Sequence, residues 1–263
     1  MIRTKLQRVR RISMVAAKCA LALGLALAVV FIVQTAHSSD DLFPVSSIEV
    51  VDAQRLDVGK LTETLAAVLP ANLLAVDLHR ARALVESEAW VDAAVVRRKL
   101  PDRLIIHVRE RVPVAVAAIE NQLFVVDRHG VILDDFGPQY ETMTRPIVQG
   151  LRSIAVENAG SENRQRMQRY LEVIRELSAG EPDHTASISE IDVGSLERIA
   201  VVANDDPVPI YLGKEEFRSR YEVFLSQKDL YLRLKEKYGL IEYVDVTYDR
   251  KIIFHTPKSV VTG

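Results

Sequence analysis

The pattern of hydrophobic and polar positions first separates an apolar run, residues 14–33, which only Lys18 interrupts. A helix of this length rises about 30 Å, which matches the hydrocarbon core of a bilayer. The run has no polar face, so it does not suit a helix that packs on a globular core. We therefore predict a single N-terminal transmembrane helix at 14–33. A cleaved signal peptide is the alternative, because Cys19–Val33 is also short enough for the apolar core of such a peptide.

Charges are distributed unequally around this run. Residues 1–36 contain six basic residues and no acidic residue, whereas Asp40 and Asp41 follow the run. Basic residues are enriched on the cytoplasmic side of membrane spans. We therefore expect residues 1–13 to form a basic cytoplasmic tail and the body of the chain to lie outside the cytoplasm. The six basic residues are Arg3, Lys5, Arg8, Arg10, Arg11 and Lys18.

Residues 43–111 alternate between the periods that mark strands and helices. Leu61 and Leu65 recur at helical spacing, and Pro70 ends that run. Trp90, which precedes a strand, is predicted to be a core residue, with an exposed docking residue as the alternative. The order predicts a compact α+β module with two helices on one face of a three-stranded sheet. Its predicted elements are a strand at 45–51, helices at 57–69 and 78–88, and strands at 91–99 and 103–109.

Residues 112–257 are richer in strands. Glu120-Asn121 lies between two apolar runs, as a tight turn does, and the residues from Asp127 to Gly130 predict another turn. The pattern predicts a strand-rich mixed β domain with flanking helices, followed by a tail at 258–263. The predicted strands are 115–119, 122–126, 131–133, 146–148, 188–193, 199–203, 208–212, 243–248 and 251–255, and the predicted helices are 163–178 and 214–238.

Composition excludes several classes of function. Beyond residue 36 the chain has 28 basic residues against 36 acidic residues, and an acidic body is a poor nucleic-acid binder. The only cysteine, Cys19, lies in the apolar run. The body therefore has neither a disulfide nor a thiol-based metal or catalytic site.

The body also lacks the sequence motifs of common enzymes. It contains no hydrolase elbow, zinc-protease motif, P-loop or dinucleotide fingerprint. Asp127 and His129 are interpreted as turn residues, and the paired acids Asp134-Asp135 and Asp205-Asp206 as solvated loop tips. We predict no catalytic residue, metal site, cofactor or small-molecule substrate. The histidines of the body, which we expect at the surface or in turns, are His79, His107, His129, His184 and His255.

Four sequence segments resemble one known family in the same order. Residues 89–115 (AWVDAAVVRRKLPDRLIIHVRERVPVA) are similar to the POTRA module of the FtsQ/DivIB cell-division family. Residues 72–77 (NLLAVD) resemble the link between the two helices of that module. Residues 123–133 (LFVVDRHGVIL) resemble the hairpin that opens the family's β domain, and residues 243–249 (YVDVTYD) resemble its late strand. The resemblance covers nearly the whole chain.

This resemblance implies a non-enzymatic protein that crosses the cell inner membrane once and scaffolds and regulates septum assembly. It implies a POTRA domain at 43–111 and an FtsQ-type β domain at 112–257, which link early and late division proteins at the septum. Expected partners are FtsB and FtsL-type proteins at the C-terminal sheet, and other division proteins at the POTRA domain. A POTRA-bearing assembly factor or chaperone for envelope proteins is the alternative, and a membrane-anchored enzyme is disfavoured because no nucleophile and base can be paired.

The resemblance also implies a partner-binding strand near the C-terminus. An edge strand offers unpaired backbone groups to a partner strand, and Tyr248 falls at the end of the predicted strand 243–248. From the residues alone, Tyr248 could instead complete the core face that Val244 and Val246 form. Thr247 stands where the family has arginine, and Lys251 and Phe254-His255 stand where some members have glycine and tryptophan. The predicted partner-binding residues are Arg198, Asp245, Thr247, Tyr248 and Arg250.

Overall fold

The computed structural model describes residues 18, 21–34, 43–153, 155–248 and 251–257. They belong to two compact units, Met1–Glu110 and Arg111–Gly263. Within the described part of the chain, no helix is both long enough and apolar enough to cross a membrane. The predicted span 14–33 is covered only in part, since residues 18 and 21–34 are described, as helix. The predicted tails at 1–13 and 258–263 lie outside the described residues.

The first unit has a three-stranded sheet in the order β1-β3-β2. Strand β1 is parallel to β3, and β2 is antiparallel to it. Two helices, α1 and α2, bury their apolar stripes against this sheet. This confirms the predicted α+β module. The elements are β1 (Ser47–Val51), α1 (Val58–Val68), α2 (Leu78–Glu86), β2 (Val91–Lys99) and β3 (Arg103–Glu110).

Aspartates begin both helices of the first unit. Asp57 accepts from the Lys60 N–H at 3.0 Å, and Asp77 accepts from the N–H groups of His79 and Arg80. Side chains at this position satisfy amide groups that have no partner inside the helix. The bonds from Arg80 and His79 also lower the pKa of Asp77. Both helices begin within one residue of their predicted starts.

One arginine joins the sheet of the first unit to the link between its helices. Arg98 donates through Nε to the Leu73 carbonyl at 2.9 Å and through Nη2 to the Val76 carbonyl at 2.6 Å. Leu73 and Val76 are fully buried. Bonds to a charged donor satisfy carbonyl groups that no helix or strand uses. The link at 72–77 is thereby fixed to strand β2.

The prediction of Trp90 as a core residue is borne out only in part, because its side chain packs against the core without being fully buried. Trp90 lies in the turn before β2, half-buried at the margin of the core, and the guanidinium of Arg55 lies 5.3 Å from its ring centre. The strand starts one residue later, so the core position belongs to the fully buried Val91.

The second unit is built on a nine-stranded sheet in the order β12-β11-β10-β9-β8-β7-β4-β5-β6. Three helices pack their buried residues into the same core as one face of this sheet. The predicted strand-rich domain with flanking helices is confirmed. The strands are β4 (Pro113–Ile119), β5 (Gln122–Asp127), β6 (Ile132–Asp135), β7 (Ile147–Gln149), β8 (Ile188–Asp192), β9 (Ile199–Ala203), β10 (Asp206–Gly213), β11 (Tyr243–Asp245) and β12 (Ile253–His255). The helices are α3 (Ala159–Ser178), α4 (Phe217–Ser226) and α5 (Lys228–Tyr238).

Both predicted turns between the first strands of this unit are confirmed. Glu120 and Asn121 have φ of 50° and 65°, which the tightest hairpins require. Asp127 accepts from the backbone N–H groups of His129 and Val131 at 2.8 and 2.9 Å. Asp127 therefore acts as a turn residue, as the sequence predicts.

The prediction of one long helix at 214–238 is wrong. The helix breaks at Gln227, whose φ of −111° and ψ of 13° are not helical. Because the break changes the phase of the pattern, Tyr231 is buried, whereas Leu232 is exposed. Neither a proline nor a glycine marks this break in the sequence.

His184 also differs from its prediction as a surface or turn residue. It lies in a short 3-10 helix but is buried, and its ring meets the Tyr221 ring edge-on at 5.4 Å. Its Nε2 lies 3.4 Å from the Glu222 carboxylate. Through these two contacts, His184 helps to hold helix α4 in position.

Candidate partner-binding site

The predicted edge strand at the C-terminus is in fact an internal strand. Strand β11 pairs in parallel with β10 on one side and antiparallel with β12 on the other. In this last pair Tyr243 lies opposite His255, and Asp245 opposite Ile253. Because β12 pairs with β11 alone among the described strands, the edge of the described sheet is β12. The prediction that strand 243–248 forms the edge is therefore wrong.

Tyr248 does not complete the core. Val244 and Val246 are buried, as predicted, but β11 ends at Asp245, and the chain leaves the strand before it reaches Tyr248. The Tyr248 side chain is 56% exposed. It lines the same groove as Ile253, which is 42% exposed and belongs to the edge strand β12. These two exposed side chains are the apolar pair of the groove.

Asp245 is buried and organises the chain around it. Its Oδ2 accepts from Arg198 at 3.2 Å, and its Oδ1 accepts from the Thr247 N–H at 2.9 Å and from the Thr247 hydroxyl at 2.5 Å. A carboxylate with three donors holds the turn that follows β11. Asp245 and Thr247 therefore position Tyr248. They are not expected to make extensive contacts with a partner themselves.

Arg198 lies just before β9, and its charge is already paired with Asp245. Its guanidinium carbon lies 3.6 Å from the ring centre of Tyr211, in the geometry of a cation–π contact. The side chain is still about half exposed. Arg198 therefore joins three strands of the sheet and keeps one side open to solvent.

A row of rings continues from Arg198 across the sheet. The rings of Tyr211 and Tyr243 meet edge-on at 5.4 Å, and the ring of His255 stacks on Tyr243 at 4.5 Å. The Nδ1 atom of His255 lies 2.9 Å from the Glu242 carboxylate. Such ring contacts stabilise neighbouring strands. The row fixes β12 to the rest of the sheet, and the sequence analysis did not identify it.

The groove beside this row has a volume of about 660 Å³. Its lining combines the apolar pair Tyr248 and Ile253 with charges of both signs, which include Glu197, Lys214 and Arg220. The Nζ atom of Lys214 lies 3.7 Å from Glu197, and Arg220 donates to the Leu212 carbonyl. The groove can accept an extended segment that carries an apolar side chain and polar groups.

Four of the five predicted binding residues therefore lie together. Arg198, Asp245, Thr247 and Tyr248 line the same groove, whereas Arg250 lies outside the described residues. Sequence reasoning missed Ile253, Tyr211, Tyr243 and His255. Strict alternation in β10, β11 and β12 places these side chains on the face opposite to Ile210, Val244 and Phe254, which point toward the core, and this signal could have identified them.

Comparison with family models identifies both parts of the chain. Residues 43–111 match the POTRA domain, FtsQ-type, and residues 115–247 match the C-terminal domain of cell division protein FtsQ/DivIB. The resemblance stated from the sequence motifs is thereby confirmed.

Individual proteins and a solved structure were also compared. FtsQ of Koribacter versatilis is 31% identical over 80% of this chain and 59% of its own length. FtsQ of Syntrophotalea carbinolica is 24% identical over 88% of this chain and 80% of its own length. The major extracytoplasmic domain of DivIB from Geobacillus stearothermophilus, at 17% identity and a TM-score of 0.27, covers 46% of this chain and 97% of that domain. This TM-score is too low to support an argument about the fold.

Proposed function

The chain belongs to the FtsQ/DivIB family of cell division proteins, and we propose that it is a non-enzymatic scaffold of the division machinery. In this role it links early and late division proteins and regulates septum assembly. The POTRA domain at 43–111 and the β domain at 112–257 are the two binding modules. The observation that carries the proposal is the exposed pair Tyr248 and Ile253 in one groove at the edge strand β12.

Partner binding at the β domain is proposed to occur by strand addition. A partner strand pairs with β12, and an apolar side chain of the partner fills the groove beside Tyr248. In this mode backbone hydrogen bonds supply affinity, and pockets for side chains supply specificity. The partners at this site are the FtsB and FtsL-type proteins that the family resemblance implies. Arg198, with its exposed side, is available to an acidic group of the partner.

The proposed location is the inner membrane at the division septum. The apolar run 14–33 supports a single membrane span. The six basic residues that precede this run or lie within it support a cytoplasmic N-terminus. The two modules then act outside the cytoplasm. Other division proteins bind the POTRA domain in this arrangement.

Depletion of the protein in the bacterium that carries it tests this role. Loss of a division scaffold produces filaments that replicate and elongate without septa. Expression of the wild-type chain should restore septation, and a Tyr248→Ala, Ile253→Asp variant should restore it poorly. An envelope-assembly defect without filamentation would contradict the proposal.

Reporter fusions test the proposed topology. A reporter that is active only outside the cytoplasm should be active after Gly263 and silent before Met1. Release of a mature form cleaved near Ser38 would contradict the single-span anchor.

A further inference from the structure

The turn between β2 and β3 carries a concentrated positive charge at one end of the first unit. Arg97, Lys99 and Arg103 are all exposed there. We call these three residues, together with Leu100, the basic tip. Leu100 is 61% exposed, so the tip also presents an apolar side chain.

The charges of the basic tip are largely uncompensated. Within the described residues, neither Arg97 nor Lys99 has an acidic side chain within ion-pair distance. Asp102 is the acidic residue of the turn and lies 3.9 Å from Arg103. Arg98 is excluded from the tip because it donates to the carbonyls of the link at 72–77.

The opposite end of the same sheet has a different character. There Asp92 lies 2.7 Å from Arg109, and Asp52 lies 3.3 Å from His107. Bases at that end are therefore paired with acids. Among the described residues of this sheet, the bases without an acidic partner within ion-pair distance therefore include Arg97 and Lys99 of the basic tip.

The tip lies where the chain enters the first unit. The Ser46 N–H donates to the Asp102 carbonyl at 2.9 Å, and Ser47 is paired with Arg103. The described part of this entry begins at Phe43, whose carbonyl accepts from the Leu73 N–H at 2.7 Å. Residues 35–42 alone separate this entry from the apolar helical residues 21–34, and even a fully extended chain of that length reaches at most about 30 Å.

We propose that the basic tip docks on anionic phospholipid headgroups of the membrane in which the apolar run is anchored. The inference rests on the proposed membrane anchor. Lysine and arginine side chains bind an anionic surface, and each contributes about fivefold to partitioning. Leu100 enters the boundary between headgroups and acyl chains, as exposed apolar residues of interfacial segments do. Docking fixes the orientation of the first unit toward the bilayer.

A labelled full-length chain tests this docking. The only cysteine, Cys19, is replaced by serine, and an environment-sensitive fluorophore is attached at Leu100→Cys. The protein is reconstituted into vesicles of phosphatidylcholine alone or of phosphatidylcholine with one part in three phosphatidylglycerol. We expect a blue shift of the emission and quenching by brominated lipid in the anionic vesicles, both reversed by high salt.

Two controls separate docking from other effects. A label at Ala89→Cys, an exposed site at the opposite end of the sheet, should give the same emission in both vesicles. Replacement of Arg97, Lys99 and Arg103 by glutamine should lower the equilibrium constant for docking of the Leu100→Cys protein about a hundredfold. Unchanged Trp90 fluorescence should show that this variant is folded.

The possible results distinguish the two proposals. A chain that alkaline carbonate extracts from the vesicles would contradict the membrane anchor, and with it the docking. A chain that stays integral but gives the same signal in both vesicles would overturn the docking alone. A signal that appears only after an acidic protein partner is added would also overturn it, because the tip would then bind protein.

Discussion

The guanidinium of Arg198 donates to the buried carboxylate of Asp245 at 3.2 Å and reaches over the ring of Tyr211 to do so. Arg198 precedes β9 and Asp245 ends β11, so this bond spans the intervening strand β10. It joins the interior of the sheet to the turn that presents Tyr248. The binding surface and the stability of the second unit are therefore connected through one ion pair.

Replacement of Asp245 by alanine should weaken both properties. The variant loses an acceptor for Arg198 and for two Thr247 donors, and we expect unfolding to become easier by about 2 kcal/mol. Partner affinity should fall because the turn no longer holds Tyr248. Urea unfolding followed by circular dichroism, together with a binding titration, measures the two effects. Asp245→Ala with unchanged stability and affinity would show that the ion pair has no such role.

Glu110 should make the stability of the first unit dependent on pH. Burial opposes the charged form, but the N–H groups of Leu56, Gln54 and Arg55, which donate to its Oε1, outweigh burial and hold the pKa of Glu110 below its ordinary value. A lowered folded-state pKa stabilises the fold above the ordinary value of about 4.3. This stabilisation is lost as the pH falls through that value and then through the lower folded-state value.

The variant Glu110→Gln tests this dependence. It should be less stable by about 1 kcal/mol at pH 7 and should lose less stability than the wild type between pH 5 and pH 3. Trp90, the only tryptophan, lies in the first unit, so its fluorescence reports the relevant unfolding in the intact chain. Parallel stability curves for both proteins across this pH range would contradict the assignment.

Asp206 should be important for the attachment of α5, whereas its neighbour Asp205 should not. The Asp206 carboxylate accepts from the Tyr231 hydroxyl and from Lys235, each at 2.7 Å. Burial opposes its charge, but these bonds prevail and lower the pKa of Asp206. Asp206→Asn should cost about 1 to 2 kcal/mol. Asp205→Asn is the matched control, since Asp205 is exposed and lies 3.4 Å from Lys228, and its cost should be below about 0.5 kcal/mol.

Gly213 should tolerate no side chain at the floor of the groove. Its φ is +81°, and an added Cβ would collide with Nη1 of Arg220 and lie 3.1 Å from Cγ2 of Thr247. Gly213→Ala should therefore destabilise the second unit by about 1 to 2 kcal/mol. Gly160→Ala is the control, because open space surrounds Gly160. Equal thermal stability of the two variants would show that a side chain at Gly213 has no such cost.

Sequence patterns predicted the elements that local chemistry determines. The two helices of the first unit, the tight turn at Glu120-Asn121, and the core positions of Val244 and Val246 are all as expected. The errors concern longer-range pairing. Nothing near Gln227 marks the break between α4 and α5, because core packing of Tyr231 and Phe224 determines it. The return of β12 along β11 depends on His255 stacking on Tyr243, a contact between residues that no local pattern connects.

Direct titration of the binding surface is the most decisive measurement. The full-length chain in detergent is titrated with the extracytoplasmic segment of its FtsB-type partner, and the variant Tyr248→Ala, Ile253→Asp is compared with Tyr238→Ala, Leu240→Asp. The control pair is at least about as exposed, at 55% for each residue, but lies at the end of α5. We expect about a hundredfold loss of affinity for the first variant and less than about a twofold change for the control. Wild-type affinity in the folded Tyr248→Ala, Ile253→Asp chain would contradict the proposed site.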